Sequence, residues 1–199
     1  MVTKIALTGG IASGKSLVGA YLQKKGIPVT DADDIVHWLL ETDAELKENI
    51  VQLFSKSVLD AQGKIQRQAL AAQVFSDTKK RKQLEAWIHP KTRVQISKFF
   101  KENAGKSFAV AIIPLLFESG TAEQYDMVWL LESNHALQLQ RLTQFRQMSV
   151  EEAENRIKSQ LSNEVKKMRL NAHPAGHILT NKGPIADLYK ALDKLIENI

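Results

Sequence analysis

The sequence predicts an α/β protein: a five-stranded parallel sheet with a helical domain inserted between its second and third strands. Three observations predict it. Short apolar runs alternate with stretches of helical spacing in both the early and the late parts of the chain. The first of these runs ends on a glycine-rich loop that opens a helix. Between Asp34 and Asn103 the strand character disappears and the pattern is helical nearly throughout.

The elements follow in order. Lys4 to Thr8 (Lys-Ile-Ala-Leu-Thr) is a short apolar run stopping at Gly9-Gly10, the pattern of a strand buried on both faces. Lys15 to Lys25 places Leu17, Val18, Tyr21 and Leu22 at helical spacing, and Gly26 stops the helix. Ile27 to Thr30 reads as a second strand running into Asp31-Ala32-Asp33-Asp34. In the middle, Thr42 and Glu45 predict a capping box for a helix reaching about Phe54, and Asp60 to Gly63 predicts a turn. Arg67 to Phe75 and Lys79 to Ile88 read as further helices, and Pro90 as the first turn of another that ends about Glu102. Phe108 to Ile113 and Met127 to Leu131 restore the buried-strand pattern, and a helix follows over His135 to Phe145. Ser149 and Glu152 predict a second capping box, for a helix reaching about Leu161. His177 to Leu179 is a last short strand, and Pro184 starts the C-terminal helix. The stretch 34–103 is too long for a simple crossover, so it reads as an inserted domain over the carboxyl edge of the sheet, where open α/β folds bind ligands.

Composition narrows the function classes. The chain has 199 residues, 44% hydrophobic and 25% charged, ordinary values for a soluble globular protein of one domain with insertions or two small ones. It has no cysteine, which excludes a disulfide framework, a thiolate metal site and cysteine catalysis. The apolar run before Thr8 is too short for a signal peptide, and no run approaches the roughly 18 apolar residues of a membrane span, so a cytoplasmic protein with no membrane contact is expected. The net charge is +5, with the basic residues spread along the chain. That distribution suits a small, multiply phosphorylated ligand better than a nucleic-acid surface, and no nucleic acid is expected as partner.

Gly9-Gly10-Ile11-Ala12-Ser13-Gly14-Lys15-Ser16 matches the phosphate-binding loop pattern GxxxxGK[ST], with a strand before it and a helix after it. Small residues let the backbone curl so that successive N–H groups point inward as an anion nest, and the positive end of the next helix adds to that field. Gly9 to Ser16 would cradle the triphosphate of a nucleotide, Lys15 would reach the β- and γ-phosphates, and the Ser16 hydroxyl would coordinate Mg²⁺, a hard cation that prefers oxygen. Two features of switch GTPases are missing. Asp60-Ala61-Gln62-Gly63 has no strand before it, and Asn181-Lys182-Gly183-Pro184 carries proline where a guanine-reading aspartate belongs. A small-molecule kinase is favoured. Asp31 and Asp33, expected at the carboxyl end of the second strand and beside the first, would face the acceptor, and a carboxylate there can take the proton of an attacking hydroxyl or hold a Mg²⁺-bound water. Arg141, Arg146 and Arg156 lie after the fourth strand, where a closing helical segment would bring positive charge to the phosphates.

These residues together resemble the dephospho-coenzyme A kinase family over nearly the whole chain. Leu7 to Ile11 with Ser13 to Ser16 resembles its opening, and Asp31-Ala32-Asp33 its second-strand motif. Gly63 with Arg67, Leu70 and Val74-Phe75, and Leu84-Glu85 with Ile88-His89-Pro90, resemble its helical domain. Pro114-Leu115-Leu116-Phe117-Glu118 is the most family-specific piece; Gln140-Arg141-Leu142, Arg156 and Gln160 resemble its lid, and Asn181 its final asparagine.

The resemblance implies a P-loop NTPase three-layer sandwich. A nucleotide-binding core would comprise 1–33, 104–135 and 170–199, an acceptor-binding helical insertion 34–103, and a lid 136–169. It implies phosphorylation of the ribose 3′-hydroxyl of dephospho-coenzyme A by ATP with Mg²⁺, giving coenzyme A and ADP, by a monomer or weak homo-oligomer. Asp33 would be the base, with Lys15 and Arg141 stabilising the transferring group. Gly10, Ile11, Ala12, Ser13, Gly14, Lys15, Ser16 and Leu17, with Arg146 and Asn181, would form the ATP site. Thr8, Asp31, Asp33, His89 and Pro114 to Glu118 would bind the acceptor. Other readings are another small-molecule P-loop kinase, of nucleoside, nucleotide or shikimate type, and a non-catalytic ATP-binding protein. Four positions depart from the family pattern: Ala12 stands for a glycine, Leu17 for a threonine, Phe145 for the second lid arginine with Arg146 one place on, and Ala172 to Gly176 replaces the usual Ala-Asp. The offset rotates Arg146 by about 100° around its helix.

Overall fold

Five strands pair into one parallel sheet: β1 (Thr3–Gly9), β2 (Val29–Asp31), β3 (Phe108–Ile112), β4 (Met127–Glu132) and β5 (Gly176–Thr180) lie in the order β2-β3-β1-β4-β5. The computed structural model describes residues 1–199, the side chain of Phe75 lying outside what is described. The expected parallel α/β architecture is present, with one correction to the strand order. β2 does not neighbour β1, because β3 lies between them: Asp31 is level with Ile112, and Ile112 with Leu7. The physical reason is in the sequences of the strands. Phe-Ala-Val-Ala-Ile is buried at every position of β3 and needs a strand on each side, whereas three-residue, half-buried β2 suits an edge. From β1 the chain moves to one side of the sheet and after β3 returns to the other, so the order reverses beside β1.

The helices are α1 (Lys15–Lys24), α2 (Ala32–Thr42), α3 (Ala44–Phe54), α4 (Arg67–Ser76), α5 (Thr78–Glu102), α6 (His135–Arg146), α7 (Val150–Lys158), α8 (Asn163–Asn171) and α9 (Ile185–Ile196). Two compact units result: Met1–Asp31 with Phe100–Ile199, and Ala32–Phe99. The sheet unit buries Ile5, Leu7, Val18, Leu22, Val110, Trp129, Leu131, Leu188 and Leu192 in one cluster. The Tyr21 and Tyr189 rings stack at 3.9 Å, and the Tyr21 hydroxyl donates to Asp193 at 2.9 Å, which pins α9 to α1. The helical unit has its own core of Leu39, Leu40, Leu46, Ile50, Phe54, Val58, Leu70, Leu84 and Ile88. Among the described residues no helix is long and apolar enough to cross a membrane.

Three local expectations need correction. The cap of α3 is Asp43, whose carboxylate accepts from Leu46 N at 2.9 Å, while Thr42 ends α2 with its hydroxyl on the Trp38 carbonyl. Aspartate is the stronger acceptor at that position. Pro90 does not start a helix. It sits inside α5, where Leu84, Ile88, Thr92 and Ile96 are buried at four-residue spacing, so burial of one continuous stripe outweighs the hydrogen bond the proline removes. α8 was not expected as a separate helix: Ser162 ends α7's successor turn and accepts from Val165 N at 3.4 Å to open it. The Ser149 cap is as expected, accepting from Glu152 N at 3.1 Å. Asp60 to Gly63 is a turn, with the Asp60 carboxylate accepting from Gln62 N and Lys64 N.

Candidate active site

The loop between β1 and α1 is shaped by what its glycines leave out. A Cβ on Gly9, at φ 153°, would lie 2.3 Å from the Leu131 carbonyl oxygen, and one on Gly14, at φ 107°, would lie 2.5 Å from Asn181 Nδ2. Both positions need glycine for conformation and for space. Ala12 is also in the left-handed region, at φ 56°, where a side chain is costly. The loop therefore carries one strained residue in place of the usual glycine. Lys15 Nζ donates to the Gly9 and Gly10 carbonyls at 2.9 Å each, which folds the ammonium over the mouth of the loop. Ser16, at the exposed N-terminus of α1, makes no described hydrogen bond through its hydroxyl.

Four polar side chains from distant parts of the chain grip this loop. Arg141, on α6, donates from Nη1 to the Ala12 carbonyl at 3.0 Å and to Ser133 Oγ at 3.2 Å, and from Nη2 to the Asn181 carbonyl at 3.4 Å. Asn181, buried after β5, donates from Nδ2 to the Ser13 carbonyl at 2.7 Å. Gln138 donates from Nε2 to the Ile11 carbonyl at 2.7 Å, and Gln160 accepts from Ile11 N at 2.7 Å. The guanidinium fork can serve several acceptors at once, which a lysine cannot.

The segment after β3 lies against the same unit. Thr8 Oγ1 donates to the Pro114 carbonyl at 3.4 Å; Leu116 and Phe117 are buried, while Leu115 is 47% exposed. Glu118 accepts from Leu161 N at 3.1 Å and pairs with buried Lys166, and Arg169 donates to the Phe117 carbonyl. A cavity of about 500 Å³ beside Gly10 is lined by Glu132, Gln138, Gln160, Ser162 and Lys182 among others. Glu132 holds Lys167 at 2.7 Å and Lys182 at 3.0 Å. Its burial raises its pKa, but the two ammonium groups outweigh that and hold the carboxyl below the ordinary glutamate range.

The expected site residues thus fall into three groups. Thr8, Gly10 to Leu17, Pro114 to Glu118, Arg141 and Asn181 lie in the sheet unit, and the loop, Arg141 and Asn181 are joined by hydrogen bonds. Asp31 closes β2 in that unit; Asp33, exposed in the first turn of α2, and His89, exposed on α5, belong to the helical unit. Arg146 is exposed at the end of α6 and makes no hydrogen bond or ion pair among the described residues, in keeping with its rotation away from Arg141. Gln138 and Ser133 escaped the sequence reading. The signal for Gln138 was its spacing: it stands one turn before Arg141 on the same face of α6.

Comparison with known proteins points to one family. The family model for Dephospho-CoA kinase matches residues 3–187. A dephospho-CoA kinase of Shouchella clausii is 38% identical over 189 residues, covering 94% of this chain and 93% of its own. The crystal structure of a Thermus thermophilus protein superposes with a TM-score of 0.83 at 31% identity, over 100% of this chain and 98% of that one. A dephospho-CoA kinase from Campylobacter jejuni superposes at 0.72 and 31% identity, over 99% and 96%.

Proposed function

We propose a residue-level mechanism for this chain, which belongs to the dephospho-CoA kinase family. The activity is ATP-dependent phosphorylation of dephospho-coenzyme A at the ribose 3′-hydroxyl, giving coenzyme A and ADP. The observation that carries the mechanism is the loop at 9–16, with Lys15 folded over its mouth and Arg141 and Asn181 holding its carbonyls from outside. Carbonyls engaged from outside leave the N–H groups of the curled backbone for the phosphates.

In this mechanism the backbone N–H groups of Ala12 and of Gly14 to Leu17 bind the phosphates, Ser13 N being held by the Gly10 carbonyl at 3.2 Å, and Lys15 leaves the Gly9 and Gly10 carbonyls to meet the β- and γ-phosphates. Asp33 takes the proton of the 3′-hydroxyl as its oxygen attacks the γ-phosphorus. The bond to the β,γ-bridging oxygen breaks and ADP leaves. Lys15 and Arg141 offset the charge spread over the transferring group. Ser16 fits a Mg²⁺ ligand, being an exposed hydroxyl with no described partner at the start of α1. Mg²⁺ takes most of its ligands from phosphate and water, and when bound it neutralises phosphate charge. Asp31, Thr8 and Pro114 to Glu118 in the sheet unit, and His89 in the helical unit, are acceptor-binding residues, and 136–169 acts as the lid. The protein works in the cytoplasm as a monomer or weak homo-oligomer. ADP release measured with dephospho-coenzyme A, a nucleoside and shikimate in parallel tests the acceptor: turnover on dephospho-coenzyme A alone is expected, and turnover on either of the others alone would overturn the reading.

A further inference from the structure

Four buried polar atoms lack a hydrogen-bond partner among the described residues: Ser13 Oγ, Trp129 Nε1, Glu118 Oε2 and Lys166 Nζ. The last two belong to a single ion pair. Lys166 on α8 is fully buried, and its Nζ pairs with Glu118 Oε1 at 3.4 Å. Burial pushes its ammonium below the ordinary lysine range, and the Glu118 carboxylate opposes that. Apolar residues of similar volume commonly replace such a pair at no loss of stability, so the pair itself is weak evidence of a stabilising role.

Its connections point elsewhere. Glu118 Oε1 also accepts from Leu161 N at 3.1 Å. The preceding residue, Gln160, accepts from Ile11 N at 2.7 Å, while Gln138 holds the Ile11 carbonyl from the other side. Ile11 is thereby fixed at both its N–H and its C=O. Its φ and ψ set the direction of the N–H groups that follow, which are the ones that meet phosphate. One of the two anchors is carried by a turn that Glu118 holds, and Glu118 is held by Lys166.

We infer that Lys166 is a positioning residue for phosphoryl transfer, acting through Glu118 and the 159–162 turn to hold Gln160 on the backbone of Ile11. It touches no reacting atom, and the inference rests on reading 9–16 as the ATP site. The test is steady-state kinetics of the full chain on Mg-ATP and dephospho-coenzyme A, at temperatures well below each variant's Tm. Lys166→Met and Gln160→Leu are each expected to lower kcat/KM for ATP about tenfold, and Gln160→Leu to leave KM for dephospho-coenzyme A unchanged. Combined, they should be little worse than either alone, since both break one chain of contacts. Lys166→Met with Glu118→Gln keeps a neutral acceptor for Leu161 N and should recover most of the loss in kcat/KM for ATP. A Lys166→Met variant with lowered Tm but wild-type kcat and KM would overturn the inference, as would losses that multiply in the combination. If Lys166→Met does not fold, Gln160→Leu and the Lys166→Met, Glu118→Gln pair decide it, and wild-type kinetics in Gln160→Leu would overturn it. Failure of the wild-type chain to use dephospho-coenzyme A would instead overturn the functional reading.

Discussion

Arg141 donates from Nη1 to the carbonyl of Ala12 at 3.0 Å, and Ala12 is the loop residue that holds a left-handed backbone, φ 56°, without being glycine. A helix arginine thus clamps the strained point of the phosphate loop. Strain of this kind persists where surrounding contacts over-determine the conformation.

Ala12→Gly should stabilise the protein. The left-handed conformation costs an alanine about 1–2 kcal/mol, and glycine returns about 0.5–1 kcal/mol of that through the entropy of the unfolded chain. The net gain expected is roughly 0.5–1 kcal/mol, a rise in Tm of about 1–4 °C at this size. Thermal melts read it, and an unchanged or lower Tm would mean that the clamp already relieves the strain.

Arg141→Ala should lower kcat/KM about 10²–10³-fold, the loss typical of one preorganised charge at a transferring group. Arg141→Lys should recover little of it, because an ammonium cannot reach the acceptors on Ala12, Ser133 and Asn181 together. Wild-type kinetics in the lysine variant would show that charge alone suffices.

Asp33→Asn should lower turnover about 10²–10⁴-fold, the usual contribution of a general base, while ATP affinity measured by nucleotide titration stays within about threefold. Retained turnover would move the proton role to Asp31 or remove it from both.

Glu132 gives a pH signature. Its folded pKa lies below its unfolded one, so its contribution to stability is present above the unfolded glutamate pKa and is lost as pH falls through the depressed folded value. Tm should therefore fall on acidification from neutral pH to about pH 3. Glu132→Gln should melt lower than wild type at neutral pH, with the gap closing as the medium becomes acid. A constant gap would assign the effect to packing instead of charge.

The parts of the fold legible in sequence were those whose causes are local. The loop at 9–16 announces itself because glycines, Lys15 and the start of a helix are adjacent in the chain, and the Ser149 cap because its partner is three residues away. What was not legible depends on contacts across the sequence. The place of β2 at the edge follows from β3 needing a neighbour on each side, and the passage of α5 through Pro90 from the buried stripe at Leu84, Ile88, Thr92 and Ile96. In the site, Gln138 and Lys166 carry no motif of their own. They matter through Ile11 and Glu118, residues 127 positions away in the first case and joined by an ion pair in the second.

The reaction itself is tested most directly by incubating the chain with dephospho-coenzyme A and Mg-ATP and identifying the product by mass and ³¹P NMR. The expected result is one added phosphoryl group on the ribose 3′-oxygen, with ADP formed in equal amount. No mass gain above an enzyme-free control, or a phosphoryl group on any other atom, would contradict it.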